Sequence, residues 1–295
     1  MKTQTTNTEV RALKGRLKSM WMAGDYDRFS RQLKEGPEQM LERLAIPAGA
    51  SVLDVACGSG AFALLAAREG AEVTGIDLAD NSIAKARARA KQEGLAIRFE
   101  QGDVEALPFE DDSFDYVVSL IGAMFAPRPE LVVSEMLRVC RPQGVVAMAN
   151  WTPEGFVGKM FKVVASHISP AGMPSPLLWG NEEVVRKRFA EGVAYVQLSR
   201  RYYVMEYPFP PAEVVEFYRE LYGPINRAFA ALDDEGQKKL RADLEDLWAS
   251  HNEATDGSTR VHAEYLQVVA TRIAGFCTVY FPEQAGEQTY SHDAY

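Results

Sequence analysis

Asp54 stands four residues before Gly58-Ser59-Gly60 in the stretch SVLDVACGSG (51–60), and Asp77 closes a second apolar run, EVTGID (72–77). A strand, a Gly-x-Gly and a helix together bring backbone N–H groups close to a ligand, and Ala63 completes a GxGxxA pattern. Any tight strand-to-helix turn could use the same glycines, so a second element is needed. Asp77 supplies it: a carboxylate at the end of the next strand can accept hydrogen bonds from both hydroxyls of a ribose. Reading Asp77 only as a helix cap would leave its coincidence with the glycines unexplained. A third element is QGDVEALPF (101–109), where Asp103 can accept from an adenine amino group and Val104 can offer its N–H to a ring nitrogen.

The charge of these residues separates two nucleoside cofactors. NAD brings a pyrophosphate that Asp54 would repel, whereas S-adenosylmethionine brings a sulfonium, an ammonium and one carboxylate. S-adenosylmethionine is the better match. An NAD(P)-dependent oxidoreductase is the alternative, supported by Ser59 and Ala63 within the glycine pattern, and a non-catalytic module that binds S-adenosylmethionine is another.

The elements that must position these residues alternate as successive βα units of a parallel sheet. Strands are predicted at 51–55, 72–77, 96–101, 114–120 and 144–150, with helices at 60–68, 81–92 and 129–140, the last ended by RPQG (141–144). Helical patterning precedes this core, including PEQMLERL (37–44), whose Pro suits a helix start. After it come a helix over 155–169, a loop at MPSPLLWG (173–180), one or two strands over 194–207, helices over 211–222 and 233–251, and a final strand over 264–276. The fold class is therefore α/β, a doubly wound, mostly parallel sheet with additions at both ends. Residues 1–50 form an N-terminal helical lid, 51–151 the cofactor core, 152–263 a cap insertion with a sixth strand, 264–281 the last strand of the core and 282–295 a loose tail.

Composition narrows the function further. The 295 residues are 47% hydrophobic and 25% charged, ordinary for a chain able to bury a core. With 32 Lys plus Arg against 41 Asp plus Glu, the net charge of −9 disfavours a nucleic-acid partner. Cys57, Cys140 and Cys277 lie far apart, which suggests neither disulfides nor a metal site. The N-terminus lacks a signal-peptide core and no stretch reaches the ~20 apolar residues of a membrane span, so a cytoplasmic location is expected.

VLDVACGSG, VTGIDLAD, GDVEALPFEDDSFDYVVS and EMLRVCRPQG occur here in the order found in the class I S-adenosylmethionine-dependent methyltransferases, which residues 51–151 resemble. The likeness is greatest to the branch holding the ubiquinone and menaquinone C-methyltransferases. It implies a Rossmann-like, seven-stranded sheet. It also implies that Asp54, Ala56, Gly58 and Gly60 line the methionine end, that Asp77 and Leu78 hold ribose and adenine, and that Asp103 and Val104 bind adenine. Ser119 would lie near the methionine amino group, and Met124 and Phe125 would face the transferable methyl and line the acceptor pocket. Gln143 stands where many relatives have glycine.

The expected acceptor is a small, partly apolar molecule methylated at carbon, oxygen or sulfur. SLIGAMF (119–125) is unlike the Asn-Pro-Pro-Tyr loop of enzymes that methylate nucleobases or glutamine, and no Asp/Asp/Asn set suggests a magnesium-dependent catechol site. A general base is optional for methyl transfer; His167, His251 and His262 are the histidines to weigh for it, each more readily explained as a surface or satisfied buried residue. Tyr26 and Phe29 either fold over the cofactor as a lid or pack as a helix start.

Overall fold

The computed structural model describes residues 7–33, 35–169 and 172–275. Three helices open the chain, α1 (Asn7–Trp21), α2 (Tyr26–Ser30) and α3 (Glu35–Leu44). The core follows as β1 (Ser51–Val55), α4 (Ala61–Arg68), β2 (Glu72–Asp77), α5 (Asp80–Glu93), β3 (Arg98–Gln101) and β4 (Phe114–Leu120). A 3-10 turn (Ala123–Phe125) leads to α6 (Pro129–Val139) and β5 (Cys140–Trp151). The additions are α7 (Phe156–His167), α8 (Glu182–Arg188), β6 (Val193–Tyr207), α9 (Pro211–Leu221), α10 (Gly223–Ala230) and α11 (Asp234–His251), before β7 (Thr259–Arg272).

The seven strands form one sheet in the order β3-β2-β1-β4-β5-β7-β6. All neighbours are parallel except β7, which is antiparallel to both β5 and β6. The central strands are mostly apolar because both faces are covered: Val52, Leu53 and Val55 of β1 are wholly buried, and Asp54 between them is the polar exception. Crossovers through α4 and α5 carry the chain from β1 to β3, and one through α6 carries it from β4 to β5, so the order reverses between β1 and β4. A crevice opens at the carboxyl ends of strands where such a reversal occurs.

Several boundaries differ from the sequence reading. β5 begins at Cys140, so RPQG lies within the strand, and Gln143 there takes φ +65, the left-handed region usually left to glycine. β7 begins at Thr259, ahead of the expected 264: Val261 and Ala263 are buried while Arg260 and His262 are exposed, and this alternation extends the strand. It ends at Arg272, short of the expected 276; residues 276–281, the tail 282–295, Cys277 and His292 lie outside the described residues. The segment 173–180, read as loop, contains a 3-10 turn at Pro176–Gly180. Helix α10 was not expected. Residues 194–207 form one strand, with a register shift between Val193 and Tyr195.

The cap is continuous with the core: β6 pairs with β7 in the same sheet, and Tyr203 of β6 packs on Trp151 of β5 at a centroid distance of 5.3 Å. Within the cap, Trp248 of α11 packs edge-on against Phe156 and Tyr218, at 4.4 and 5.2 Å. The cap also seats the N-terminal helices: Phe29 stacks on Tyr222 at 4.7 Å, and Asp25 N donates to Leu221 O at 3.1 Å. Tight packing there is visible at Gly223, where a Cβ would lie 2.1 Å from Met20 O.

Candidate functional site

The crevice at the strand tips holds two adjoining compartments. Tyr26, Ala56, Gly58, Leu120 and Ile121 form the wall they share. The outer compartment runs past Asp77, Leu78, Asp103 and Val104, under Lys14 and Trp21 of α1. The inner one is enclosed by Asp54, Cys57, Phe62, Leu33, Pro37 and Tyr203.

The shared wall is made by backbone conformation. Gly58 takes φ +55, and a Cβ added there would sit 3.1 Å from the Tyr26 ring. Gly60 takes φ +81 as it enters α4, and a Cβ would come within 2.9 Å of Phe99. Ala56 and Ile121, at the ends of β1 and β4, also have φ +55. For a β-branched residue such as Ile121 this conformation is a genuine outlier, of the kind that gathers at functional sites.

Two carboxylates are pinned beside this turn by main-chain donors. Ala63 N, in the first turn of α4, donates to Asp54 Oδ2 at 3.1 Å. Gly58 N and Ala79 N donate to Asp77 Oδ2 and Oδ1, each at 2.8 Å. Burial pushes Asp54 up to about 8, offset in part by the Ala63 N–H and reinforced by the negative charge of Asp77. Burial raises Asp77 as well, against the three backbone N–H groups that favour its charge. These amides, aimed at carboxylates, do not form an open cradle for a pyrophosphate, which argues against a dinucleotide. A cation placed near Asp54 would stabilise its charged form.

Hydroxyls and thiol complete the chemistry. Burial, and secondarily Asp77, pushes Tyr26 up to about 12; Tyr203 and Cys57 are also raised well above their usual ranges by burial. All three therefore remain protonated near neutral pH. Neither Tyr26 nor Tyr203 has a hydroxyl hydrogen bond among the described residues, and both line the inner compartment.

Of the residues singled out by sequence, Asp54, Ala56, Gly58, Asp77, Leu78, Asp103, Val104 and Tyr26 come together in the two compartments, and Gly60 lies in the turn behind them. Ser119 and Met124 line neither compartment. Asp54 is in register with Val118, so strand alternation turns Leu120 to the face of Asp54 and Ser119 to the opposite face. There the Ser119 hydroxyl accepts Ala123 N at 3.0 Å, while Met124 is 1% exposed in the turn beyond. Phe125 lines the outer compartment, not the inner one, with its ring 4.9 Å from Trp21.

The histidines lie elsewhere: His167 Nε2 is 2.6 Å from Asp243, His251 Nε2 is 3.0 Å from Lys159 Nζ and His262 Nδ1 is 2.9 Å from Glu253. Among the described residues no group of three or more potential ligands could hold a metal ion, and no helix is long and apolar enough to cross a membrane. Sequence reasoning missed Lys14, Leu17 and Trp21, whose i, i+3, i+7 spacing on α1 was a usable signal, and Tyr203, which had none.

A family model described as a methyltransferase domain matches residues 53–148. The uncharacterized protein Rv1405c of Mycobacterium tuberculosis is 33% identical over 92% of this chain and 100% of its own length. Methyltransferase GfsG of Streptomyces halstedii is 41% identical over 40% of this chain and 44% of that protein. Among solved structures, the YcgJ protein of Bacillus subtilis superposes with a TM-score of 0.58 at 19% identity, covering 82% of this chain and 99% of that one. Sequence, sheet order and strand-tip crevice agree: the chain belongs to the class I S-adenosylmethionine-dependent methyltransferases.

Proposed function

We propose that this methyltransferase acts on a small, partly apolar acceptor at carbon, oxygen or sulfur. In this reading the adenosyl part of S-adenosylmethionine occupies the outer compartment and its methionyl end the inner one. One observation carries it: two pinned carboxylates, Asp54 and Asp77, flank a glycine turn whose Gly58, at φ +55, lies so close beneath Tyr26 that a Cβ would be 3.1 Å from its ring. Asp77 would accept from the ribose hydroxyls, Leu78 and Val104 would pack on adenine, Asp103 would accept from its amino group, and Asp54 would sit by the ammonium and sulfonium. The fit is supported by the raised Asp54, which a neighbouring cation would return to its charged form.

The cofactor supplies a methyl group already activated on a sulfonium. What the chain must add is orientation, which can contribute effective molarities on the order of 10⁵–10⁸ M. The inner compartment suits this role. Leu33, Pro37, Phe62, Leu120 and Ile121 would surround an apolar body, and Tyr26 and Tyr203 stay protonated, so each has a hydroxyl proton to offer an acceptor. No described histidine, lysine or arginine lines this compartment, which favours an acceptor without a fixed negative charge.

Calorimetric titration of wild type and Asp77→Asn with S-adenosylhomocysteine, and of wild type with NADH, tests the compartment assignment. Loss of ribose acceptance should weaken S-adenosylhomocysteine about 100-fold, and NADH should not bind. Undiminished affinity in Asp77→Asn, or tight NADH binding, would overturn it. Labelled-methyl transfer to quinols, phenols and thiols then identifies the acceptor class.

A further inference from the structure

Helix α1 lies over the outer compartment with Lys14, Leu17 and Trp21 in its lining. The Lys14 ammonium is set between two carboxylates from the segment after β3, 2.5 Å from Asp103 Oδ2 and in contact with Glu105 Oε2. Neither carboxylate is loose. The Glu105 side chain is wholly buried and accepts Arg128 N at 2.7 Å and Arg128 Nε at 2.8 Å, while Asp103 Oδ1 accepts Glu105 N at 3.0 Å. A second ion pair that ties α1 to the core, Lys18 with Asp80 at 2.7 Å, has side chains 32% and 56% exposed, so water and salt weaken it.

We propose that Lys14 is a positioning residue for the adenosyl end of the cofactor: by bridging Asp103 and Glu105 it holds α1 across the outer compartment and sets how long the cofactor stays bound. This rests on the outer compartment being the adenosyl site. Asp103 can serve both partners, because an ionised carboxylate offers about four lone-pair sites and Lys14 with Glu105 N engages only two. Without the ammonium, Asp103 and Glu105 would face each other with Arg128 as their remaining close cation, and α1 would lose its best-shielded anchor. Bound cofactor lies beneath α1, so the ion pair must open before it leaves. The effect therefore falls on dissociation.

The test is stopped-flow release of S-adenosylhomocysteine from the full chain, followed by tryptophan fluorescence, since Trp21 lines the same compartment. Lys14→Met should release about tenfold faster, and Lys14→Arg should return the rate to within about twofold of wild type. Because the Lys14 pair is shielded, raising salt from about 0.05 to about 0.5 M should change release from wild type by no more than about twofold. Lys18→Met, on the same helix, should behave as wild type. Wild-type release in Lys14→Met, equal acceleration by Lys14→Met and Lys18→Met, or an about tenfold acceleration of wild-type release by salt would each overturn the proposal; the last needs no variant to fold. If Asp77→Asn weakens binding while Lys14→Met changes nothing, the role of Lys14 fails alone. If Asp77→Asn has no effect, the compartment assignment fails.

Discussion

The two walls of the crevice are built by different means. On the side of the strand tips, Ala56, Gly58 and Ile121 share φ +55, Gly60 takes φ +81, and main-chain amides hold Asp54 and Asp77. On the facing side, Lys14, Trp21 and Tyr26 come from α1 and α2 and Tyr203 from β6, brought together by packing on the cap. A wall made of backbone has few alternatives, because each left-handed residue and each pinned carboxylate depends on its neighbours in the chain. A wall made of side chains can change one contact at a time. One scaffold can in this way keep a cofactor and exchange acceptors.

Replacements on the two sides should therefore differ in size. The largest effect is expected at Gly58→Val, which forces a β-branched residue to φ +55 and brings its Cβ to 3.1 Å from the Tyr26 ring. Affinity for S-adenosylhomocysteine should fall more than about 100-fold by calorimetry, with a stability loss of about 1–3 kcal/mol in thermal melts. Tyr26→Leu, on the facing wall, should weaken the same ligand about five- to tenfold, because Trp21 still lines the outer compartment. An effect at Tyr26 as large as at Gly58 would break the distinction. The smallest effect is expected at Ser119→Ala, which removes an acceptor from Ala123 N outside both compartments. It should cost about 1 kcal/mol of stability and leave cofactor affinity within about twofold.

The same division explains what was legible in the sequence. Asp54, Gly58, Gly60 and Asp77 act through local geometry, strand end, turn and helix start, so their spacing announced the site. Asp103 was readable too, though not its ion pair with Lys14, since nothing local joins residues that lie 89 apart. The side of the sheet on which Ser119 lies depends on strand register, which spacing along the chain does not give; it turns Ser119 away from Asp54. Tyr203 carries no local signal, because it is the antiparallel pairing of β6 with β7 that brings it to the inner compartment. Helix α10 escaped notice because it is a short run that opens on Gly-Pro.

Asp54 offers the most direct measurement. Its ordinary value of 3.8 is raised to about 8, so between these values the folded protein keeps a proton that the unfolded chain has lost. The ligand-free protein should accordingly lose stability as pH rises through that window, by up to ~1.4 kcal/mol per unit from this group. A cationic ligand prefers the ionised carboxylate, so affinity for S-adenosylmethionine should rise with pH and level off above about 8. Calorimetry at about pH 7 in two buffers of different ionisation enthalpy counts the proton released: close to one per S-adenosylmethionine bound in wild type and none in Asp54→Asn. Binding to wild type without proton release, and with an affinity indifferent to pH between about 6 and about 8, would contradict a cation seated against Asp54.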